Sequence, residues 1–424
     1  MMVTYLEKLP KEVRELIHLA ARQASRQKVS SYLVGGFVRD LLLGAPNFDL
    51  DIVVEGDGIK FAEEASGILK AKLIRHRQFG TASLIIRPDL KIDITTARRE
   101  FYPKPASLPV VSPGALKDDL FRRDFTINSL AIRISGKGPS ELIDFFQGKN
   151  DLKQKKIRVL HSLSFIDDPT RILRAIRFEQ RYDFAIEPST LRQLKKAARM
   201  KMVNKVGPQR LRDELILILK ETRPLRPLKR IKELLGFSFI NRNLSLTHTD
   251  FTFLSRIEKE IAWFQTRHTH RRRLDSWLIY FMGMIDGLTL GQVKKTCRNF
   301  VFRQGEEKRI LDYKRLHCKI FSLLNKGLLK PSRIYRILEP LSYEVILLIK
   351  AKYKNQALQR YIEDFLAIYN GVRILTKGKD LQALGVVPGP DYQKIFHKVL
   401  NARIDGKIVT WDDEIGFIKR ITTR

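Results

Sequence analysis

The sequence predicts an α+β protein with a small N-terminal head that contains a mixed β-sheet, followed by an extended all-helical neck, body and tail. Strand-like apolar runs alternate with helical segments in the first part of the chain, and helical periodicity dominates from Leu116 onward. The chain has 424 residues, of which 44% are hydrophobic and 29% are charged, a composition typical of folded proteins. This length exceeds one ordinary core, so several packed units are expected.

The elements of the head follow from local patterns. Residues 10–28 have helical apolar spacing behind a proline, which is a favourable helix start. "SYLVGGF" predicts a strand that meets two glycines, and "VRDLLLG" predicts a helix that Gly44 ends. "FDLDIVVEG" predicts a second strand and residues 59–73 a helix. "TASLIIRPDLKIDITTAR" predicts two strands joined by a turn at Pro88 and Asp89.

The segments after the head are predicted to be helical. The clearest are "DDLFRRDFTINSLAI", "DPTRILRAIRFEQR" and "PSTLRQLKKAARM". A candidate hairpin-and-helix insertion, "PSELIDFFQGKNDLKQKKIRVL", separates the first two. Beyond about residue 200 the chain reads as successive helices with polar breaks and no fixed-period repeat.

The charge of the chain indicates a polyanionic partner. Its formal net charge is +33, which favours nucleic acid over a phospholipid surface. No stretch approaches the roughly 20 apolar residues of a membrane span, and the N-terminal residues lack the pattern of a secretion signal, so a cytoplasmic location is expected. The two cysteines, Cys297 and Cys318, have no partners at ligand spacing and are expected to be reduced structural thiols.

Two aspartates mark the predicted second strand. Asp49 and Asp51 are two residues apart, so they share one face of an extended strand. An isolated Asp-x-Asp most often only solubilises an edge strand, but paired carboxylates repel unless a cation lies between them. Mg²⁺ binds through one or two carboxylates plus substrate phosphates. With Gly35, Gly36 and Arg39 just upstream at a strand-to-helix turn, the pattern predicts a metal–triphosphate site.

Arginines in two later segments predict an anionic ligand. Arg123 lies among apolar residues, and a buried arginine needs an anionic partner. On one helix, three-residue steps would place Asp168 and three arginines on a single broad face. A solvated amphipathic helix is the alternative, but stacked arginines repel and Asp168 supplies only one negative charge. A triphosphate would supply the rest. The three arginines are Arg171, Arg174 and Arg177.

These motifs together resemble the class II tRNA nucleotidyltransferases, the CCA-adding enzymes of the polymerase β superfamily. The resemblance covers residues 30 to about 220, through "VGGFVRDLLLG", "DLDIVV", "RRDFTINSLA", "GKNDLKQKKIRVL" and "DDPTRILRAIRF". It implies nucleotidyl transfer to RNA, with two Mg²⁺ ions held by Asp49 and Asp51.

The resemblance also implies roles for the remaining site residues. Asp93 would be a third carboxylate, although it could instead cap the turn at the end of its strand. Asp168 and Arg171 would select the base of CTP or ATP. The other implied nucleotide contacts are Gly36, Arg39 and Arg123, then Asp124 and Asn128 at the ribose, with Arg174 and Arg177 nearer the phosphates.

Four regions are expected from this pattern. Residues 1–150 would form the nucleotidyltransferase head, 151–222 a helical neck that selects the base, 223–370 a body that binds RNA, and 371–424 a tail that resembles the part gripping the tRNA elbow. The basic body suits the acceptor stem of tRNA, which proteins recognise by shape and phosphates. His268 and His270 fit that basic face better than a zinc site. The implied partners are tRNA, ATP and/or CTP; no membrane and no stable protein partner is expected.

The nucleotides added remain open in the sequence. The segment "RREFYPKPASLPVVSPGALKDDL" lacks the Asp-Gly-Arg-type loop of many CCA-adding members, so addition of CCA, of CC only or of A only all stay possible. A bacterial poly(A) polymerase ranks lower, because "AKLIRHRQFGTASLII" stands where such enzymes have a Gly-Arg-Arg-Phe-Arg-type strand. A non-catalytic RNA-binding protein on the same scaffold is the third alternative. Oligomeric state and the signal that ends addition also stay open.

Overall fold

The computed structural model describes residues 6, 7, 9–47, 49–87, 90–134 and 141–422. The chain divides into two units. The first comprises residues 1–215 with 226–235, and the second comprises residues 216–225 with 236–424. The four regions expected from the sequence stay a prediction.

The first unit is built on a mixed sheet. Over the described residues it has seven strands in the order β3-β4-β5-β2-β1-β8-β9. β2 and β5 are parallel, and the other neighbouring pairs are antiparallel, which confirms the predicted mixed sheet. The strands are β1 Ser30–Val34, β2 Leu50–Glu55, β3 Lys72–His76, β4 Thr81–Arg87, β5 Leu90–Thr96, β6 Arg98–Phe101, β7 Val110–Pro113, β8 Ala131–Arg133, β9 Leu142–Ile143, β10 Lys156–Ile157 and β11 Ala185–Ile186.

Helices surround this sheet and continue beyond it. Buried apolar side chains such as Phe37, Ile52 and Phe61 form the core between sheet and helices. The helices from the N-terminus to residue 234 are α1 Lys11–Gln27, α2 Gly35–Leu43, α3 Gly58–Leu69, α4 Leu116–Phe121, α5 Gly148–Lys153, α6 Ser164–Asp167, α7 Thr170–Tyr182, α8 Pro188–Arg199, α9 Pro208–Leu219 and α10 Leu225–Leu234.

The turn from β1 into α2 and the end of α2 follow the prediction. Gly35 has a left-handed backbone (φ 69°) and donates its N–H to the carbonyl of Leu130. Gly44 ends α2, also with φ 69°, and donates its N–H to the carbonyl of Leu41. The sheet and α2 therefore meet at a glycine.

Two predicted helices differ from the structure. The helix over 59–73 ends at Leu69, because Lys70 adopts a left-handed conformation and closes it, and Lys72 begins β3. The segment "DDLFRRDFTINSLAI" is helical only to Phe121 and continues through a 3₁₀ turn into β8. The Asp124 carboxylate accepts the N–H of Phe125, a local bond that competes with a helix. The turn predicted at Pro88 and Asp89 lies outside the described residues.

The second unit is helical throughout its described residues. Two of its helices, α12 (Ser276–Met284) and α16 (Tyr343–Lys352), are almost entirely buried, and the tail has its own apolar cluster around Leu381 and Val399. This confirms the helical character predicted for the later part of the chain, whereas residues 151–222, also expected to be all-helical, contain the paired two-residue strands β10 and β11. From residue 248 onward the helices are α11 His248–Arg267, α12 Ser276–Met284, α13 Leu290–Phe300, α14 Gln304–Leu324, α15 Pro331–Leu338, α16 Tyr343–Lys352, α17 Gln356–Ala367, α18 Gly378–Ala383, α19 Pro390–Ile404 and α20 Trp411–Thr422.

An ion pair with a buried carboxylate lies in the second unit. The Glu344 carboxylate has no exposed side-chain area and accepts hydrogen bonds from both Nη atoms of Arg272, at 2.8 and 2.7 Å. Arg309 lies 3.4 Å away. His268 is buried against Trp263 and Phe264 rather than on a basic face, so that expectation for His268 is wrong.

In the part of the chain that is described, no helix combines the length and apolar character needed to span a bilayer. The expected cytoplasmic location stays a prediction.

Candidate active site

One cavity of the first unit, with a volume of about 810 Å³, collects the residues that the sequence singles out. Its lining draws on β2, α2, α7, α9 and the loops between them. Of the predicted site residues, Asp93 alone lies outside the described lining. Those that line the cavity are Gly36, Arg39, Asp49, Asp51, Arg123, Asp124, Asn128, Asp168, Arg171, Arg174 and Arg177.

The two aspartates of the Asp-x-Asp motif both face this cavity. Asp49 is exposed and lies just before β2. The predicted strand held both aspartates, but β2 begins at Leu50, so only Asp51 lies within it. Asp51 is half-buried within β2. Burial raises the pKa of Asp51 to about 6; Arg123 lowers it, and Asp93 and Asp49 raise it further. The pair therefore carries crowded negative charge that the protein only partly balances.

Asp93 is the neighbour of Asp51 on the adjacent parallel strand, in direct register. Its carboxylate accepts hydrogen bonds from Ser83 Oγ at 2.5 Å and from Lys91 Nζ at 2.8 Å. It lies beside the acidic pair but is already engaged by the protein. Its role as a third catalytic carboxylate stays a prediction.

The acidic pair fits a divalent cation that brings other ligands with it. Among the described residues, no group of three or more acidic, histidine or cysteine side chains is placed to hold a metal ion. Two neighbouring carboxylates, one of which has a raised pKa, suit a hard cation. Mg²⁺ is such a cation, and it keeps water or phosphate oxygens among its ligands. Asp49 and Asp51 are the residues that would hold it.

The glycine turn brings the backbone close to this pair. A Cβ atom on Gly35 would lie 2.6 Å from Arg123 Nη1 and 3.5 Å from Asp51 Oδ2. At Gly36 the nearest atom would be Arg39 Nη2, at 3.4 Å. The sequence assigned the nucleotide contact to Gly36, which lines the cavity, but Gly35 is the position where a side chain would strain the backbone and displace the Arg123 guanidinium.

Arg39 is buried and bonded within the protein. It donates through Nε and Nη2 to the Asp40 carboxylate, at 2.8 and 2.9 Å, and through Nη1 to Asn128 Oδ1 at 2.6 Å. Its guanidinium also lies over the ring of Tyr182, 4.8 Å from the centroid. Arg39 therefore fixes Asn128, another predicted contact, at the cavity.

The arginines of "RRDFTINSLA" have carboxylate partners, as expected of buried arginines. Asp119 has no exposed side-chain area and accepts from Arg122 at 2.7 Å and Arg123 at 2.9 Å. Burial alone would raise the pKa of Asp119, but Arg123 and Arg122 outweigh it and the pKa is lowered. Burial would likewise raise the pKa of Asp124, yet Arg174 and Asn128 lower it to about 2. Both carboxylates are therefore ionised.

Asp168 does not lie on the helix with the arginines, which corrects the prediction of one shared helical face. It precedes α7, and its Oδ1 accepts from the N–H and Oγ1 of Thr170, at 3.1 and 2.6 Å. Arg210 Nη2 lies 2.8 Å from the same oxygen. Asp168 and Arg171 nevertheless line one cavity.

The three arginines of α7 are held by protein groups. Arg171 donates to Ser164 Oγ and to the carbonyl of Arg122, both at 2.6 Å. Arg174 donates to Asp124 at 2.8 Å and to Glu214 at 3.1 Å. Arg177 Nε lies 3.9 Å from Glu214. The inference that only Asp168 offsets their charge is therefore wrong. The carboxylates that offset it, Asp124 and Glu214, belong to segments that are distant in sequence.

Several lining residues escaped the sequence argument. It singled out no residue of α9, yet Arg210, Asp213 and Glu214 of this helix reach the cavity, as do Glu100 and Tyr102 at the end of β6. Arg210 and Glu214 are four residues apart and so share one helical face, which was the available signal.

Comparisons with known proteins agree with this fold. Residues 31–158 match the family model described as the poly A polymerase head domain. The A-adding tRNA nucleotidyltransferase of Geobacter sulfurreducens is 37% identical over 435 aligned positions, which cover 98% of this chain and 49% of that protein. The enzyme of the same name from Halalkalibacterium halodurans is 30% identical, covering 96% of this chain and 92% of that one.

A solved structure extends the likeness over the whole chain. The Thermotoga maritima CCA-adding enzyme complexed with tRNA superposes with a TM-score of 0.73 at 31% identity, covering 99% of this chain and 98% of that one. The fold of the head and the cavity with its acidic pair define a nucleotidyltransferase. The chain belongs to the tRNA nucleotidyltransferase family. It spans about half the length of the Geobacter relative.

Proposed function

We propose that this chain is a template-independent tRNA nucleotidyltransferase that adds C and/or A to the 3′ end of tRNA, with CTP and/or ATP as the donor. The observation that carries the proposal is a single cavity that holds the acidic pair Asp49 and Asp51 together with Asp168 and Arg171. Such a cavity can bind the phosphates of a nucleotide at one side and its base at the other.

The acidic pair would be the reacting side of the cavity. Bound Mg²⁺ would lower the pKa of the RNA 3′-hydroxyl and offset the charge of the leaving pyrophosphate. Asp49 and Asp51 would hold the cation, and Asp93 is proposed as a further carboxylate beside them. Gly35 leaves room for Arg123 next to Asp51, so Arg123 would meet a phosphate close to the reacting atoms.

Other arginines of the cavity would act mainly by orienting neighbouring side chains and by their fixed positive charge. Arg39 orients Asn128 by a 2.6 Å hydrogen bond, and Asn128 with Asp124 would meet the ribose hydroxyls. Arg174 is paired with Asp124 and Glu214, so together with Arg177 it would contribute a fixed positive field beside the triphosphate.

Asp168 and Arg171 would select the base. The three donors described at Asp168 all bind Oδ1, and we assign Oδ2 to the exocyclic amine that C and A both carry. Arg171 would donate to a ring nitrogen or carbonyl. U and G would leave buried polar groups unpaired, which disfavours them strongly.

Of the forms of this activity that the sequence leaves open, our leading candidate is the addition of A to a tRNA that ends in CC. Both curated relatives described above carry the name A-adding tRNA nucleotidyltransferase. The match to a poly A polymerase head keeps addition of longer A tails as the second candidate.

Nucleotide incorporation tests the proposal directly. Purified protein would be incubated with Mg²⁺, one labelled nucleoside triphosphate, and tRNAs that end before CCA, after C or after CC. One A added only to the CC end indicates an A-adding enzyme, and C addition indicates a CC-adding or CCA-adding one. Long A tracts would indicate poly(A) polymerase. No incorporation on any acceptor would contradict the proposal and favour a non-catalytic RNA-binding protein.

A further inference from the structure

The wall of the cavity beside Asp168 and Arg171 is formed by a segment with no role in the function proposed above. β6 and β7 pair as a separate two-stranded hairpin, and the loop between them holds several prolines. Glu100, Tyr102 and Pro109 from this hairpin line the cavity. The side chain of Tyr102 is the large planar group among them.

Tyr102 is anchored from behind by a buried carboxylate. Its hydroxyl donates to Glu100 Oε2 at 3.1 Å. The side chain of Glu100 is only 7% exposed and also accepts from Arg98 at 2.9 Å and Arg122 at 3.1 Å. Burial raises the pKa of the Tyr102 phenol, Glu100 raises it further, and Arg171 and Asp168 are near enough to act on it. The hydroxyl therefore stays a protonated donor, and the ring is held in place.

The same loop is tied to the backbone just before Asp168. Ala106 is buried, has a left-handed backbone (φ 62°), and donates its N–H to the carbonyls of Ile166 and Asp167, at 3.1 and 3.2 Å. A β-hairpin loop that only covered the surface would not need a strained residue at this point. The wall and Asp168 are therefore fixed relative to each other.

A second connection reaches Arg171. Its Nη2 donates to the carbonyl of Arg122, whose guanidinium in turn binds Glu100. Hydrogen bonds thus join Tyr102 to Glu100, Glu100 to the Arg122 side chain, and the Arg122 carbonyl to Arg171. Networks of this kind in a low-dielectric setting hold side chains in a single arrangement.

We infer that Tyr102 is a specificity-determining residue whose ring packs against the base of the incoming nucleoside triphosphate while Asp168 and Arg171 bind the edge of that base. The inference rests on the proposed function. Hydrogen bonds to an edge discriminate well only when the base cannot tilt or shift, and a fixed aromatic wall supplies that restraint. The ring would add little for the triphosphate, which lies toward the acidic pair.

The test compares base discrimination in three variants. Tyr102→Ala removes the ring, Tyr102→Phe keeps the ring without its anchor, and Tyr32→Phe is the matched control. Tyr32 lies in the same unit outside the cavity, and its hydroxyl donates to Glu55 Oε2 at 3.0 Å. For each, kcat/KM would be measured with ATP, CTP, UTP and GTP on the tRNA acceptor that the wild-type protein extends.

We expect Tyr102→Ala to lower the ratio of kcat/KM between the preferred and the rejected nucleotides by about tenfold or more. Tyr102→Phe should lower it by a smaller factor, and Tyr32→Phe should leave it unchanged. Inhibition by inorganic tripolyphosphate should stay the same in all variants, because the phosphate side is untouched. A purely structural role would lower activity with every nucleotide equally and leave the ratio constant.

An unchanged ratio in Tyr102→Ala, with an active and folded protein, would overturn the inference. If that variant does not fold by circular dichroism, Tyr102→Leu provides a side chain of intermediate size, and the ratio decides in the same way. Failure of the proposed function is a separate result, because the wild-type protein would then incorporate no nucleotide at all.

Discussion

At the scale of single residues, Asp51 is where burial and negative charge conflict. Because burial raises its pKa to about 6, ionisation at pH 7 costs folding free energy when no cation is bound. We expect Asp51→Asn to lower nucleotide incorporation by about 10³-fold or more, since it removes a cation ligand. The melting temperature without metal should not fall, because the buried charge is gone.

Incorporation assays, tRNA filter binding and thermal melting check this expectation. Asp57→Asn is the matched control, because Asp57 caps α3 outside the cavity lining. Retained turnover in Asp51→Asn, or loss of tRNA binding together with activity, would contradict the assignment of Asp51 to the cation.

Gly35 carries the strictest steric demand in the described part of the site. Its backbone is left-handed, and a methyl group would meet the Arg123 guanidinium at 2.6 Å. Gly35→Ala should destabilise the protein by about 1–3 kcal/mol and lower incorporation further than that loss explains, because Arg123 must move. Gly67→Ala on α3 is the control, since nothing lies within 4 Å of its added Cβ. Equal behaviour of the two variants in melting and incorporation would argue against this steric role.

Much of the site could be predicted residue by residue. Eleven of the twelve predicted residues line one cavity because they belong to short motifs whose chemistry is local. Glu214 was missed, since its arginine partner Arg174 lies 40 residues away in sequence. Pairing across such a distance depends on how the elements pack, and no local pattern contains it.

At the scale of elements, α9 joins the part of the cavity that holds Asp168 to the helical part of the first unit. Arg210 of α9 binds Asp168 Oδ1 at 2.8 Å. Arg210→Gln should raise KM for the accepted nucleotide by about tenfold, because a charged hydrogen bond that orients Asp168 is lost. Steady-state kinetics check this, with Arg192→Gln, an exposed arginine of α8, as the control. An unchanged KM would show that Asp168 is oriented by Thr170 alone.

Elements whose apolar residues follow a single periodicity were predicted correctly, whereas segments that combine helix and strand were not. The apolar spacing of α1 and the continuous apolar run of β2 gave their types correctly. "DDLFRRDFTINSLAI" has helical spacing but breaks after Phe121, where side chains such as Asp124 bind nearby backbone. Its final residues form β8 by pairing with β1, a contact that only the sheet supplies.

The start of α16 depends on the ion pair between the buried Glu344 carboxylate and Arg272. Burial opposes ionisation of Glu344, but Arg272 and backbone donors lower its pKa to about 2, below the ordinary 4.5. The pair therefore contributes fully to the free energy of unfolding above pH 4.5, and this contribution is lost as the pH falls toward 2. Glu344→Gln should lower the free energy of unfolding by about 1–2 kcal/mol at pH 7, because Arg272, which is left without its carboxylate, is partly exposed to solvent.

Denaturant unfolding of wild type and Glu344→Gln at several pH values measures this contribution. The difference between them should narrow as the pH falls from 4.5 toward 2. A difference independent of pH would assign the loss to packing rather than to charge. Glu339→Gln, at the exposed end of α15, is the control.

At the scale of the whole molecule, charge is the dominant property. The chain has 79 lysines and arginines against 46 aspartates and glutamates. Within the cavity, the arginines are largely paired with carboxylates such as Asp119, Asp124 and Glu214. Much of the excess therefore lies elsewhere, for example on α13, where Lys294, Lys295 and Arg298 are exposed opposite its buried apolar face. Such helices favour contact with phosphates along an RNA.

This distribution predicts that tRNA binding and nucleotide binding respond differently to salt. Neutralising six or more phosphates releases as many counterions, so the Kd for tRNA should rise about 10³-fold between 50 and 200 mM salt. KM for the nucleotide should change much less, because the cavity charges are paired and partly shielded from solvent. Filter binding and steady-state kinetics across that range measure both.

A tRNA Kd that changes less than about tenfold would mean that the net charge of +33 does not reflect contact with the tRNA backbone. Replacing Lys294, Lys295 and Arg298 by glutamine should lessen the salt dependence, whereas the same change at three exposed positions outside the contact surface should not.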